Sequence, residues 1–167
     1  MRTLHFVLAI LSLIPISALG APISLSAESG KFNAKTLGPH TAKAIITATV
    51  QVTEFRGAKA WPAGAYVGFH EGEDRSNSVQ FVLMRNTDTD TQLAIGYRVL
   101  KDGKEQIIQF IEWAPLDAHV KVTLSFENGI AMLRVGDGEL IKIKTSLQKV
   151  APYASVSSSS ASFDVSP

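Results

Sequence analysis

The chain has 167 residues, 46% of them apolar, with 16 basic against 15 acidic side chains and no cysteine. That length bounds it to one ordinary domain, and the composition is that of a globular protein. The missing cysteines exclude a disulfide framework, a thiolate metal site, a cysteine nucleophile and lipid attachment through an N-terminal cysteine. The balanced charge argues against electrostatically driven binding of nucleic acid or of an anionic membrane.

Residues 1–20 read as a signal peptide. Met1-Arg2-Thr3 is a short positive start, residues 6–19 are apolar except for Ser12, Pro15 and Ser17, and Ala18 and Gly20 supply small residues before a cleavage point. The apolar run is shorter than the roughly 20 residues that cross a bilayer. The sequence therefore predicts an exported protein, periplasmic or secreted, with residues 21–167 as one domain and no membrane segment after cleavage. Arg2 is the only charged residue removed, so the mature chain is formally neutral.

The rest reads as strand after strand. In residues 44–53, Ala44, Ile46, Ala48, Val50 and Val52 alternate with Ile45, Thr47, Thr49, Gln51 and Thr53, a period of two that marks one buried and one wet face. Further strands are expected at 65–70, 78–85, 92–100 and 105–113. The clearest alternation is at 118–127, where Val120, Val122, Leu124 and Phe126 face one way and Lys121, Thr123, Ser125 and Glu127 the other. Asp102-Gly103, Asn128-Gly129 and Asp137-Gly138 carry hairpin chemistry, because these pairs tolerate the positive φ of a type I′ turn. The Ser-rich tail, 151–167, keeps an alternating order through Tyr153, Ser155, Ser157, Ala161, Phe163 and Val165 that suits a closing strand.

About ten to twelve short strands are too many for one open sheet, which would curl or split. Two packed antiparallel sheets give each strand a buried face, so an all-β sandwich is expected, with a closed barrel as the alternative.

Ala65-Tyr66-Val67-Gly68-Phe69, then Asn77-Ser78-Val79-Gln80-Phe81, then the strand from Val120 into Asn128-Gly129 and the terminal Ala161-Ser162-Phe163-Asp164-Val165 follow one another in a particular order. That order resembles the concanavalin A-like lectin/glucanase superfamily, the jelly-roll β-sandwiches that include laminin G-like modules. The resemblance implies a two-sheet antiparallel jelly-roll whose last strand pairs near the first. It also implies a glycan as the ligand class of a non-catalytic binding module. The alternatives are a divergent glycoside hydrolase or polysaccharide lyase, or a structural or adhesive domain that binds protein.

The superfamily's glycosidases carry Glu-x-Asp-x-x-Glu on one strand, and this chain has no such string. Its nearest acid pair is Glu71 and Glu73, with His70 beside them. If extended, they could reach the carboxylate separations that retaining or inverting chemistry needs, but Gly72 and the run into Asp74-Arg75-Ser76-Asn77 have the composition of a solvated loop. No Gly-x-Ser-x-Gly elbow is present. Asn86, Asp88 and Asp90 alternate as in the first half of a calcium loop, yet Thr91 and Tyr97 stand where an EF-hand needs Gly and Glu. Calcium in another geometry stays open, against the plainer reading of a polar turn. Histidine spacing offers no zinc site.

A sugar-binding face is easier to build. If Val67, Phe69, Val79, Phe81, Ile95 and Tyr97 pack inward, the other face of the same three strands carries Tyr66, Gly68, His70, Ser78, Gln80, Ala94, Gly96 and Arg98. Gly68 and Gly96 would leave a shallow hollow walled by Tyr66, His70, Gln80 and Arg98, an aromatic ring flanked by planar hydrogen-bonding groups. Trp61, in a Pro- and Gly-containing loop, is a further candidate that could cap a ligand. Trp113, ahead of Pro115, is expected to plug a corner of the core.

Overall fold

The computed structural model describes residues 22–57 and 62–166. The expected signal segment and Trp61 lie outside the described residues. Twelve strands follow in chain order: β1 (Ile23–Ser26), β2 (Phe32–Thr36), β3 (Lys43–Phe55), β4 (Ala63–Glu71), β5 (Asn77–Arg85), β6 (Gln92–Lys101), β7 (Lys104–Pro115), β8 (Val120–Glu127), β9 (Ile130–Val135), β10 (Ile141–Lys144), β11 (Ala151–Ser157) and β12 (Ser159–Ser166). They form two six-stranded antiparallel sheets, in the orders β1-β12-β3-β8-β9-β10 and β2-β11-β4-β5-β6-β7. The protein is an all-β two-sheet sandwich, as the strand pattern predicts, and a jelly roll, as the resemblance implies.

Period-two alternation builds the space between the sheets. Ile46, Ala48, Val50, Val122, Leu124, Phe126 and Leu133 come from the first sheet and meet Val67, Phe69, Val79, Phe81, Leu83 and Ile95 from the second. The Phe69 and Phe126 rings cross the gap with centroids 6.2 Å apart. The last strand closes the molecule where the resemblance places it: β12 lies between β1 and β3, with Phe163 opposite Ile23 on one side and Val50 on the other.

Two turns behave as read. Asp102-Gly103 (φ 51° and 73°) and Asn128-Gly129 (φ 50° and 76°) hold two successive positive-φ residues, the backbone of a type I′ turn. The third does not. After β9 the positive φ falls on Gly136, at 53°. Gly136 donates to Lys121 O and Gly138 to Val135 O, so Asp137-Gly138 sits in a wider loop.

The tail is also corrected. It is two strands in different sheets, β11 and β12, broken at Ser158, whose φ is 46°. Ser158 accepts from Arg56 N through its carbonyl and from Gly30 N through its hydroxyl. Ser159 Oγ donates to Gly64 O at 2.9 Å. The serine run is the stitching at the corner where the chain passes from one sheet to the other. The short strands β1 and β2 gave no clear sequence pattern, because β2 has four of its five residues exposed.

Candidate functional site

Strand register sets out the outer face of the second sheet in rows. One row runs Thr36, Tyr153, Gly68, Gln80, Arg98, Ile108 across β2, β11, β4, β5, β6 and β7. The next runs Ala34, Ser155, Tyr66, Val82, Gly96, Phe110, and a third runs Phe32, Ser157, Gly64, Met84, Ala94, Trp113. Tyr66, Gln80 and Arg98 therefore share one face, as the alternation predicts.

That face is not an ordinary wet one. Tyr66, His70, Ser78 and Gln80 are buried, and so are Tyr153, Ser155 and Ser157 from β11. The hollow expected over Gly68 is filled. A β-carbon there would lie 3.1 Å from Tyr153 Cε1 and 2.3 Å from Val79 O, so the glycine lets an aromatic ring and a neighbouring strand close in. Nothing in the local sequence of β4 announces Tyr153, which arrives from the far end of the chain.

Beside these residues lies a cleft of about 730 Å³, lined by Phe32, Tyr66, Gln80, Arg98 and Tyr153 together with Arg75, Glu105 and Ile108. Its size is that of a small-ligand pocket. Arg98 is held on three sides: Nε donates to Gln80 Oε1 at 2.8 Å, an outer nitrogen pairs with Glu105 at 3.1 Å, and the guanidinium lies 4.7 Å from the Tyr66 ring centroid. Gln80 Nε2 in turn donates to Ser78 Oγ at 2.8 Å. Ser157 Oγ donates to Pro62 O, which leaves the Tyr66 hydroxyl to donate to Ser157 at 2.9 Å. Opposite, Arg75 stacks on Tyr153 at 5.8 Å and donates to Thr36 Oγ1 at 3.0 Å. Two arginine–tyrosine stacks thus wall one cleft, each worth about 0.5–2 kcal/mol depending on desolvation.

Polar atoms in and beneath this face are unmatched. Arg75 Nε, Tyr153 Oη and Ser155 Oγ are buried and lack a hydrogen-bond partner. Burial pushes the Tyr153 phenol well above its ordinary pKa; the nearby Ser78 hydroxyl opposes the shift without meeting bonding geometry. Orphaned buried groups are uncommon and call for a reason.

His70 departs from the expectation. It lies on the same face but is only 2% exposed and does not line the cleft. Its ring meets His40 and Tyr153 edge-on, with centroids 5.1 and 5.3 Å away. Nδ1 lies 2.7 Å from Gly72 O, which can only accept, so Nδ1 carries the proton and Nε2 faces the Thr36 hydroxyl at 3.3 Å. Burial lowers its pKa, against the opposing pull of the Gly72 bond.

The acid pair divides. Glu71 Oε1 accepts from the backbone nitrogens of Gln148 and Lys149 at 2.9 and 3.3 Å, tying the end of β4 to the chain before β11. Glu73 is exposed in the following loop, and neither lines the cleft. At the other end, the 86–90 loop is closed by its own side chains. Asp90 takes two bonds from Thr87, through N at 3.0 Å and Oγ1 at 2.6 Å, and the hydroxyl bond leads in holding its carboxyl below the usual range. Arg85 donates to the carbonyls of Asp88 and Asp90. Among the described residues no three His, Asp or Glu side chains converge as a metal site.

Trp113 corrects its expectation. It does not plug the core but stands 52% exposed at the end of the third row, its ring 4.9 Å from that of Phe110, itself 47% exposed. β7 is the sheet's edge strand, and pairing with Ala94 sets Trp113 on its outer face, away from the core. On the first sheet a second hollow of about 640 Å³ is lined by Ile45, Met132 and the exposed Lys43–Glu127 pair, and holds none of the orphaned polar atoms.

No sequence family and no curated protein matches the chain. Solved structures do match in shape. The carbohydrate-binding module CBM66 from Bacillus subtilis superposes with a TM-score of 0.60 at 11% identity, over 86% of each chain. CG-16, a homodimeric agglutinin from chicken liver, gives 0.52 at 14% identity, over 82% of this chain and 97% of that one. An alginate lyase from Alteromonas sp. 272 gives 0.53 at 9% identity, over 74% and 70%. At such identities the likeness is one of fold, that of a two-sheet jelly-roll sandwich.

Proposed function

We propose that this protein is an exported, non-catalytic carbohydrate-binding module, and that its ligand sits in the cleft on the outer face of the β2–β7 sheet. One observation carries the proposal. Arg98, Gln80 and Tyr66 are locked into one constellation along a cleft that Tyr153 and Arg75 also wall. The exposed Phe32 ring at the cleft can cover the apolar face of a sugar, and the oriented Arg98 guanidinium can bond its hydroxyls. Carbohydrate-binding proteins among the structural neighbours support the ligand class, and the N-terminal sequence supports export. The acid pair adds no catalytic alternative, since Glu71 is engaged with backbone and Glu73 lies apart from the cleft.

A glycan array at near-neutral pH, run with calcium and with chelator, tests this. Binding is expected for the wild-type protein and lost in Arg98→Ala and Gln80→Ala, each of which should still unfold cooperatively in urea, at a lowered midpoint because buried partners are removed. Arg98→Lys should bind weakly, because an ammonium cannot reproduce the planar fork. A wild-type protein silent on the array in both conditions would sink the reading.

A further inference from the structure

The three rows end on an apolar surface that extends beyond the cleft. Ile108, Phe110 and Trp113 are 63%, 47% and 52% exposed on one face of β7. Contiguous exposed apolar groups of this size mark interaction sites more often than chance surface. Between them and Val82 the rows pass through Gly96 and Ala94, whose small side chains leave a trough of about 160 Å³. Trough and cleft adjoin, sharing Met84, Asn86 and Ile108 as walls.

We propose that Phe110 and Trp113 form a second sugar subsite, and that the ligand is an extended glycan chain running from the Arg98–Tyr66 cleft across Gly96 to this platform. The inference rests on the carbohydrate reading of the cleft and adds the length of the ligand. From β4 to β7 is three strand spacings, about 14 Å, further than one sugar ring reaches. The floor changes character along that path, from polar groups at Gln80 and Arg98 to bare ring faces at Phe110 and Trp113. Such a surface recognises hydroxyls at one end and the apolar face of a pyranose at the other. The Phe110–Trp113 pair is tilted by 50°, so the rings offer a notch to a bent chain more than a flat shelf. Gly96 cannot take a side chain in any case, since a β-carbon would lie 2.4 Å from Gln109 O. The bulge that brings β7 so near β6 thereby keeps the trough open.

Calorimetric titration with cello-, laminari- and alginate oligosaccharides of two and six residues tests the proposal. In the Phe110→Ala/Trp113→Ala protein, affinity for the six-residue probe should fall about tenfold or more while the two-residue probe binds as before. Phe110→Leu/Trp113→Leu, which keeps apolar bulk without rings, should show the same length-dependent loss. Equal loss at both lengths, or no loss at six, overturns the platform and leaves the cleft reading standing. So does a sedimentation mass that drops from dimer to monomer in these variants, which would assign the platform to a second copy of the chain. If the wild-type protein binds none of the three series, the platform and the cleft reading fall together.

Discussion

Burial holds the His70 imidazole below its ordinary pKa, and its surroundings offer little to a proton. Nε2 faces a hydroxyl that already accepts from Arg75, His40 lies against the ring, and Glu73 is the nearby acid that opposes the shift. Once unfolded, the imidazole titrates near 6.5. As pH falls, the unfolded chain therefore takes up this proton before the folded one does. Stability that depends on neutral His70 is whole above about pH 6.5 and is lost as the pH drops toward the folded value. Urea midpoints should fall between about pH 7.5 and 5.5 in the wild-type protein and fall less in His70→Gln. An equal fall in both would move the effect to other groups. Residue by residue, the sequence offered His70 as a wall of the site. Its alternation placed the side chain on the right face but carried no measure of how deeply Tyr153 and the 72–75 loop would cover it.

Among the elements, the hairpins separate what a dipeptide can and cannot say. Asn128 at φ 50° occupies a conformation that costs a β-branched residue about 1–2 kcal/mol, whereas Asp137 has no positive φ. Asn128→Val should lower unfolding free energy by about that amount, and Asp137→Val should stay within about 0.5 kcal/mol, as read by urea titration. A large loss in the second variant would mean that the 136–140 loop is wrongly described. Both pairs look alike in sequence. They differ because β9 and β10 begin pairing only at Leu133 and Ile141, which leaves more residues to turn than a two-residue hairpin has. Trp113 teaches the same lesson at a strand end. Its neighbourhood in sequence suggests a core corner, but its register opposite Ala94 turns it to the outer face of an edge strand.

At the scale of the whole molecule, β12 is a central strand despite coming last. It bonds β1 and β3 and buries Phe163 and Ala161 between the sheets. Removing residues 159–167 exposes one long edge on β3, strands β1 from its sheet and opens the core. The truncated chain should show neither a cooperative urea transition nor a native near-ultraviolet spectrum. A cooperative transition in the shortened protein would mean that the first sheet closes without its last strand. Alternation over 118–127 and in the tail, the turn residues at 102–103 and 128–129, and the face shared by Tyr66, Gln80 and Arg98 were all legible from the sequence. These are properties of neighbours along a strand, where successive side chains must point to opposite sides. The cleft itself was not legible, because its walls are paired across the sheet: Tyr66 bonds Ser157 from 91 positions away, and Tyr153 fills the space over Gly68. By itself the sequence determined an all-β chain and, within its clearly alternating strands, which side chains share a face, which local backbone geometry dictates. Only the tertiary structure decided which strands distant in sequence lie side by side, and so which outward residues meet: a tight turn sets register between consecutive strands, but no turn joins β11 to β4 or β12 to β3.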